Sequence, residues 1–141
     1  MIEINYMNQG ILKKKQRGSF TGYIFDGVNL ELLMRGATFK NCLFKNCDFS
    51  NSVFKETKIT ECTFKGSTLE LSQFSQCVIG RVQFTDCTLD RTQFEFSAIY
   101  NTTFQYSTMW NALIEQSTVQ RRFIRDYVDR YDIETKMITL I

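Results

Sequence analysis

No histidine and no proline occur among the 141 residues. Without histidine the chain lacks the commonest general base and the commonest metal ligand, which excludes much familiar hydrolase and zinc chemistry. Net charge is also scarce: 17 Lys and Arg against 15 Asp and Glu leave +2, too little to attract nucleic acid or anionic membranes by bulk electrostatics. There is no Gly-rich phosphate loop and no G-x-S-x-G nucleophile turn. Nowhere do about eighteen apolar residues follow one another, and Met1 to Tyr6 carry no basic stretch leading into an apolar one. The sequence therefore reads as a soluble, cytoplasmic, single-domain protein with neither a membrane span nor an export signal.

The five cysteines, Cys42, Cys47, Cys62, Cys77 and Cys87, are separated by 5, 15, 15 and 10 residues, which matches no zinc or C-x-x-C pattern. Their spacing belongs to a repeat. Steps of five from Phe39 to Val119 meet seventeen residues, all large and apolar, among them Phe44, Phe54, Ile59, Phe64, Leu69, Phe74, Ile79 and Phe84. In a chain that is 43% hydrophobic, such a run has a chance of roughly one in a million. Two residues before each lies a small residue, from Ala37 and Cys42 to Ala112 and Ser117, and every cysteine is in this class. The large class fills an interior and the small class lies inward where little else fits, so the cysteines are packing residues.

A period of five suits neither a helix nor a long strand; it suits a chain that turns a corner every five residues. From Phe54 the large class alternates Phe with an aliphatic, and the aliphatics divide into Ile59, Ile79, Ile99 and Leu69, Leu89, Met109. The structural repeat is therefore twenty residues on four sides. It predicts a column of Phe44, Phe64, Phe84 and Phe104 facing one of Phe54, Phe74, Phe94 and Ile114, with coils about 4.8 Å apart.

Runs such as Cys47-Asp48-Phe49-Ser50-Asn51 and Cys62-Thr63-Phe64-Lys65-Gly66 resemble the pentapeptide-repeat proteins, with Phe preferred to Leu and Cys, Ser or Thr to Ala. The resemblance implies an all-β fold, a right-handed quadrilateral β-helix, here of about five coils. The match is unbroken over residues 37–119 and extends weakly back through Phe20, Phe25, Leu30 and Met34, with one residue missing between the last two. The expected organisation is an N-terminal strand and basic loop over 1–19, the β-helix over 20–119, and a C-terminal helix with an apolar tail over 120–141.

Both ends of a solenoid need covering. Ile2, Ile4 and Tyr6 alternate as in a strand, and Lys13 to Lys15 with Arg17 read as a solvated loop. Ser117 to Gln120 reads as a capping box before an amphipathic helix from Arg121 to about Ile133, with Phe123, Ile124, Tyr127, Val128 and Tyr131 on one stripe. The tail from Met137 to Ile141 either pairs with the body as a short strand or enters a homodimer interface, as the resemblance to the quinolone-resistance branch, which dimerises through its C-terminal end, implies.

Function rests with the outward positions. Phe96, Tyr100, Tyr106 and Trp110, with Phe123, Tyr127 and Tyr131 of the C-terminal segment, form the candidate partner or dimer surface. Phe96 and Tyr100 flank one side and Tyr106 and Trp110 the opposite one, so a single contact cannot bury all four, and the alternative to a partner or dimer interface is cover by the chain's own C-terminal segment. Lys40, Lys45, Lys55, Lys58 and Lys65 form a candidate basic patch, the alternative being a solubilising surface. Residues 1–65 hold ten basic and six acidic side chains, and residues 66–119 two and five. Carboxylates such as Glu56 and Glu61 are ordinary solvated charges, and no cofactor is expected.

The chain reads as a non-enzymatic, rigid scaffold that binds a protein partner. The resemblance offers two alternatives, a DNA-mimicking modulator of DNA gyrase or topoisomerase IV and a secreted bacterial effector. Mimicry requires a negative surface, whereas Met34 to Val119 hold eight basic and eight acidic residues; only Glu70, Asp86, Asp90, Glu95 and Glu115 give an acidic stretch.

Overall fold

The computed structural model describes residues 2–141. Met1, the first residue of the segment read as an N-terminal cap, lies outside them. The chain winds a right-handed, four-sided β-solenoid of about seven turns. Each side is five residues long. In the side centred on Phe44, the small Cys42 points inward, Leu43 outward, Phe44 inward, Lys45 outward, and Asn46 turns the corner.

The corners explain the period. From Asn41 to Gln116 every fifth residue has a positive φ, between 49° and 63°, whatever its type. This left-handed conformation suits Gly66 and the asparagines, but Leu71, Arg91, Phe96 and Tyr106 adopt it too. On three of the four sides a short strand begins two residues after the corner and pairs in parallel with the strand one turn away.

Four faces result, in chain order. Face 1 comprises Glu3–Asn5, Ile24–Asp26, Leu43–Lys45, Thr63–Lys65, Gln83–Thr85 and Thr103–Gln105. Face 2 is held by single bridges linking Asn29, Asp48, Thr68, Thr88 and Thr108. Face 3 comprises Leu33–Arg35, Val53–Lys55, Gln73–Ser75, Gln93–Glu95, Leu113–Glu115 and Glu134–Lys136. Face 4 comprises Ser19–Thr21, Thr38–Lys40, Lys58–Thr60, Val78–Gly80, Ala98–Tyr100, Thr118–Val119 and Thr139–Leu140.

The expected columns are present on opposite faces. Phe25, Phe44, Phe64, Phe84 and Phe104 stack on face 1 with ring centroids 4.2 to 4.9 Å apart, and Phe54, Phe74 and Phe94 on face 3 at 4.8 Å. The small inward residues tie turn to turn: Ser67 Oγ donates to the Lys65 carbonyl and accepts from the Cys47 N–H, as Ser97 does with Glu95 and Cys77. Cys87 Sγ lies 3.3 Å from the Phe64 carbonyl of the turn before. Among the described residues no fully buried side-chain nitrogen or oxygen lacks a partner.

The turn count exceeds the five expected because the ladder continues beyond the regular repeat at both ends. Ile4 and Phe20 register with Phe25 and Phe39 in the first turns. There the residue missing between Leu30 and Met34 shortens the coil to nineteen, pairing Phe25 with Phe44. At the far end Glu134–Lys136 pairs with Leu113–Glu115, and Thr139–Leu140 with Thr118–Val119. Of the two placements left open for the tail, it takes the one on its own body.

Three local expectations are corrected. The basic segment read as a loop contains a one-turn helix, Ile11–Lys14, with Leu12 buried beneath the first turn and the lysines in solvent. The C-terminal helix is shorter than the stripe suggested: α-helical over Arg121–Phe123, it widens to π-helical over Ile124–Val128 and ends in a turn. Nor does a capping box open it. Ser117 Oγ is engaged with Glu115 and Ser97, and the Gln120 side chain bonds Asn101 one turn back.

Candidate protein-binding surface

The C-terminal helix does two jobs for the last turn. Phe123 is buried and packs edge-on against Phe104 at 5.8 Å, closing the interior, while Tyr127 packs edge-on to the same ring at 5.1 Å and beside Phe123 at 5.1 Å. Both tyrosines then satisfy the unpaired sheet edge. The Phe104 N–H donates to Tyr127 Oη at 3.1 Å, and Tyr131 Oη donates to the Ser107 carbonyl at 2.7 Å. Phe123 and Tyr131, placed on a partner surface by the sequence, are therefore core residues of the cap, and Tyr127 is half-buried there.

Around this cap one aromatic cluster faces solvent. Trp110 stands edge-on to Tyr131 with centroids 5.2 Å apart and keeps 43% of its surface exposed. Tyr106, at the corner between faces 1 and 2, is 79% exposed. Arg130 lies over the Tyr131 ring at 5.4 Å. Together they line an open hollow floored by Phe104 and Thr108. Asp90, one turn back, fixes the Trp110 backbone by accepting from the Thr108 hydroxyl at 2.7 Å and the Trp110 N–H at 3.0 Å. Arg130 and Asp90 were not legible as parts of this cluster, because their roles depend on the path of the cap.

The remaining aromatics are elsewhere. Tyr100 lies across Gly80 of the preceding turn, so closely that a methyl group at residue 80 would overlap its ring. Glycine is required there because the tyrosine occupies the space. Phe96, 52% exposed, sits at the corner between faces 3 and 4. The structure thus unites Tyr106, Trp110 and Tyr131 and separates them from Phe96 and Tyr100.

The basic patch does not assemble. Lys45 and Lys65 stack on face 1, Lys55 is on face 3, and Lys40 and Lys58 are on face 4. Residues five apart in sequence stand on different sides of the rod, and Lys45 also pairs with Asp26 at 3.5 Å. The acidic stretch is divided likewise: Glu70 reaches Arg91 at 4.0 Å, while Glu95 and Glu115 belong to face 3. Glu61 pairs with Arg81 at 3.5 Å.

The thiols are buried in the ladder. Burial pushes Cys47 and Cys77 up to about 11, and the hydrogen bond with Cys42, together with burial, pushes Cys62 up. Among the described residues no group of His, Cys, Asp and Glu side chains is placed to hold a metal ion, and no helix is long and apolar enough to cross a membrane.

The sequence pattern of the family described as pentapeptide repeat region matches residues 37–114. No curated protein matches the chain. Among solved structures it is similar to HetL, a pentapeptide repeat protein involved in heterocyst differentiation regulation from the cyanobacterium Nostoc sp. strain PCC 7120. That likeness has 11% identity and a TM-score of 0.59, covering 83% of this chain and 57% of HetL. Full-length QnrB1, a plasmid-mediated fluoroquinolone resistance protein, gives 14% identity and a TM-score of 0.44 over 87% of this chain and 71% of its own. The likeness to HetL is one of fold, and this chain spans 57% of that protein's length.

Proposed function

The chain belongs to the pentapeptide-repeat family, and from that premise we propose that it is a non-catalytic scaffold that binds another protein at the corner where Tyr106, Trp110 and Arg130 stand over the buried Tyr131. The carrying observation is the exposed indole and phenol on a frame that is already rigid. Asp90 holds the Trp110 backbone and Tyr131 braces the indole from below. Such pre-ordered aromatics are the usual anchors of protein interfaces, since little side-chain entropy is lost when they are covered. The inward hydroxyls and thiols support a non-enzymatic reading, because their positions are explained by bonds to main-chain carbonyls. Five buried thiols suit a reducing cytoplasm, where we place the protein.

The DNA-mimicking alternative has less support, since acidic side chains are spread over several faces and two of the carboxylates nearest face 2 are engaged by Arg91 and the Trp110 segment. The test is affinity capture from bacterial lysate at moderate salt, comparing wild type with Tyr106→Ala/Trp110→Ala. A protein retained reproducibly by wild type and lost by the variant supports the proposal. Equal retention by both overturns it, and retention of a type II topoisomerase by both moves the function to the acidic faces.

A further inference from the structure

Face 3 has a charge order that none of the other faces shares. One of its outward columns runs Arg35, Lys55, Ser75, Glu95, Glu115 in register one turn apart and ends in Lys136, which pairs with Glu134 of its own strand at 3.3 Å. The parallel column beside it is uncharged over the same five turns, Leu33, Val53, Gln73, Gln93, Leu113, before it ends in Glu134. Over the five turns from Arg35 to Glu115 the first column is antisymmetric about Ser75, positive on one side and negative on the other. The second is close to symmetric about Gln73.

We infer that face 3 binds a second copy of this chain in an antiparallel, two-fold arrangement centred on the turn that carries Leu71, Gln73 and Ser75. A two-fold axis lying in the contact plane and crossing the rod keeps each column opposite itself and reverses the order of turns. Arg35 then meets Glu115 of the second copy, Lys55 meets Glu95, and each pair occurs twice. Leu33 meets Leu113. Because the turns on both copies repeat at about 4.8 Å, alignment of one pair aligns the rest.

The central turn is the sharper argument, since every residue in it must face its own copy. It presents Leu71, Gln73, Ser75 and Gln76, all uncharged, and their self-contacts are apolar or hydrogen-bonding. Leu71 is 45% exposed and sits at a corner in the left-handed conformation, where an asparagine or arginine stands on the neighbouring turns. On the axis it gains an apolar partner. A shallow groove between Gln73, Gln93, Glu95 and Leu113 faces Lys55 and Arg35 of the second copy.

The same operation fails on faces 1 and 2. On face 1 the column Asp26, Lys45, Lys65, Thr85, Gln105 would place Lys65 against itself. On face 2 it would set Glu70 against Asp90. The contact on face 3 is small, on the order of 400 Å² per copy from five turns of strand spacing, so the dimer is a weak and reversible one. Its ion pairs are solvent-edged, which makes it sensitive to salt.

The test is sedimentation equilibrium on the full chain at concentrations up to about 300 μM, where an interface of this size is expected to populate, in low and high salt. The expected result is a monomer–dimer equilibrium whose dissociation constant rises about tenfold or more when the ionic strength goes from roughly 0.05 to 0.5 M. Lys55→Glu and Glu95→Lys, both outward substitutions, should each give monomer, because each creates two like-charge contacts. The combined Lys55→Glu/Glu95→Lys chain should recover the dimer. Circular dichroism unchanged among the three variants confirms that the fold is constant. Trp110→Ala should leave the equilibrium unaltered, which separates this surface from the proposed protein-binding corner. Monomer at all concentrations in low salt, a dimer indifferent to both single reversals, or a combined variant that stays monomeric would each overturn the inference.

Discussion

Replacing Phe64 by alanine removes a ring that is 2% exposed and stacked between Phe44 at 4.2 Å and Phe84 at 4.9 Å. A buried Phe→Ala change costs about 3 to 5 kcal/mol, the spread reflecting how far the surroundings collapse into the space. Collapse is restricted here. The main chain above and below is held in ladder register by Gln83, Phe84 and Thr85 on one side and Leu43, Phe44 and Lys45 on the other. We therefore expect about 4 kcal/mol, away from the lower end of that range. At about 2.1 cal/mol/K per residue, unfolding 141 residues has an entropy near 0.3 kcal/mol/K, so the melting temperature should fall by about 13 °C. Phe64→Leu, which refills much of the volume, should restore at least half of the loss. Urea unfolding followed by far-ultraviolet circular dichroism measures both variants. A Phe64→Ala transition within about 1 kcal/mol of wild type at equal slope would refute the claim that the column is a rigidly spaced core.

Two further outcomes concern smaller groups. Tyr131→Phe leaves the Ser107 carbonyl without its 2.7 Å donor, and should cost about 1 to 2 kcal/mol in the same melts; no loss would mean the edge is satisfied by water. Cys47 and Cys77 titrate near 11 in the folded chain rather than 9.0 because burial disfavours the thiolate. Their contribution is therefore complete below about pH 9 and lost as pH rises through 11, roughly 2 to 3 kcal/mol per thiol. The stability difference between wild type and Cys77→Ser should shrink across that window, and a difference constant from pH 8 to 11 would contradict the burial argument.

The interior was legible in the sequence because the same question is asked of the chain many times. Each inward site recurs every twenty residues in the same environment, so Phe44, Phe64 and Phe84 declare a column that no single residue could. The small positions gave the cysteines a place for the same reason. Surfaces carry no such redundancy. Lys40, Lys45, Lys55, Lys58 and Lys65 look clustered along the chain, yet neighbours five apart point to different sides, and true neighbours are twenty apart. The cap was read only in outline, because a stripe of Phe123, Tyr127 and Tyr131 fits a straight helix as well as the π-widened one that brings Tyr131 Oη to Ser107. The corner positions went unread, because the asparagines at 41, 46, 51, 101 and 111 share them with residues as unlike as Leu71, Phe96 and Tyr106.

The constant registry also bears on how the chain reaches this structure. In most proteins with parallel sheets, strands meet across connections of very different length, and the longest closures slow folding. Here a strand's partner lies nineteen or twenty residues away on nearly every turn. Each closure therefore carries almost the same entropic cost, and none depends on bringing distant parts of the chain together. A mean separation near twenty in 141 residues gives a relative contact order of about 0.14, below that of ordinary β-sandwiches. Once any two turns have met, each further turn adds to an existing template, so the rate-limiting nucleus should be two turns tall regardless of the length of the rod.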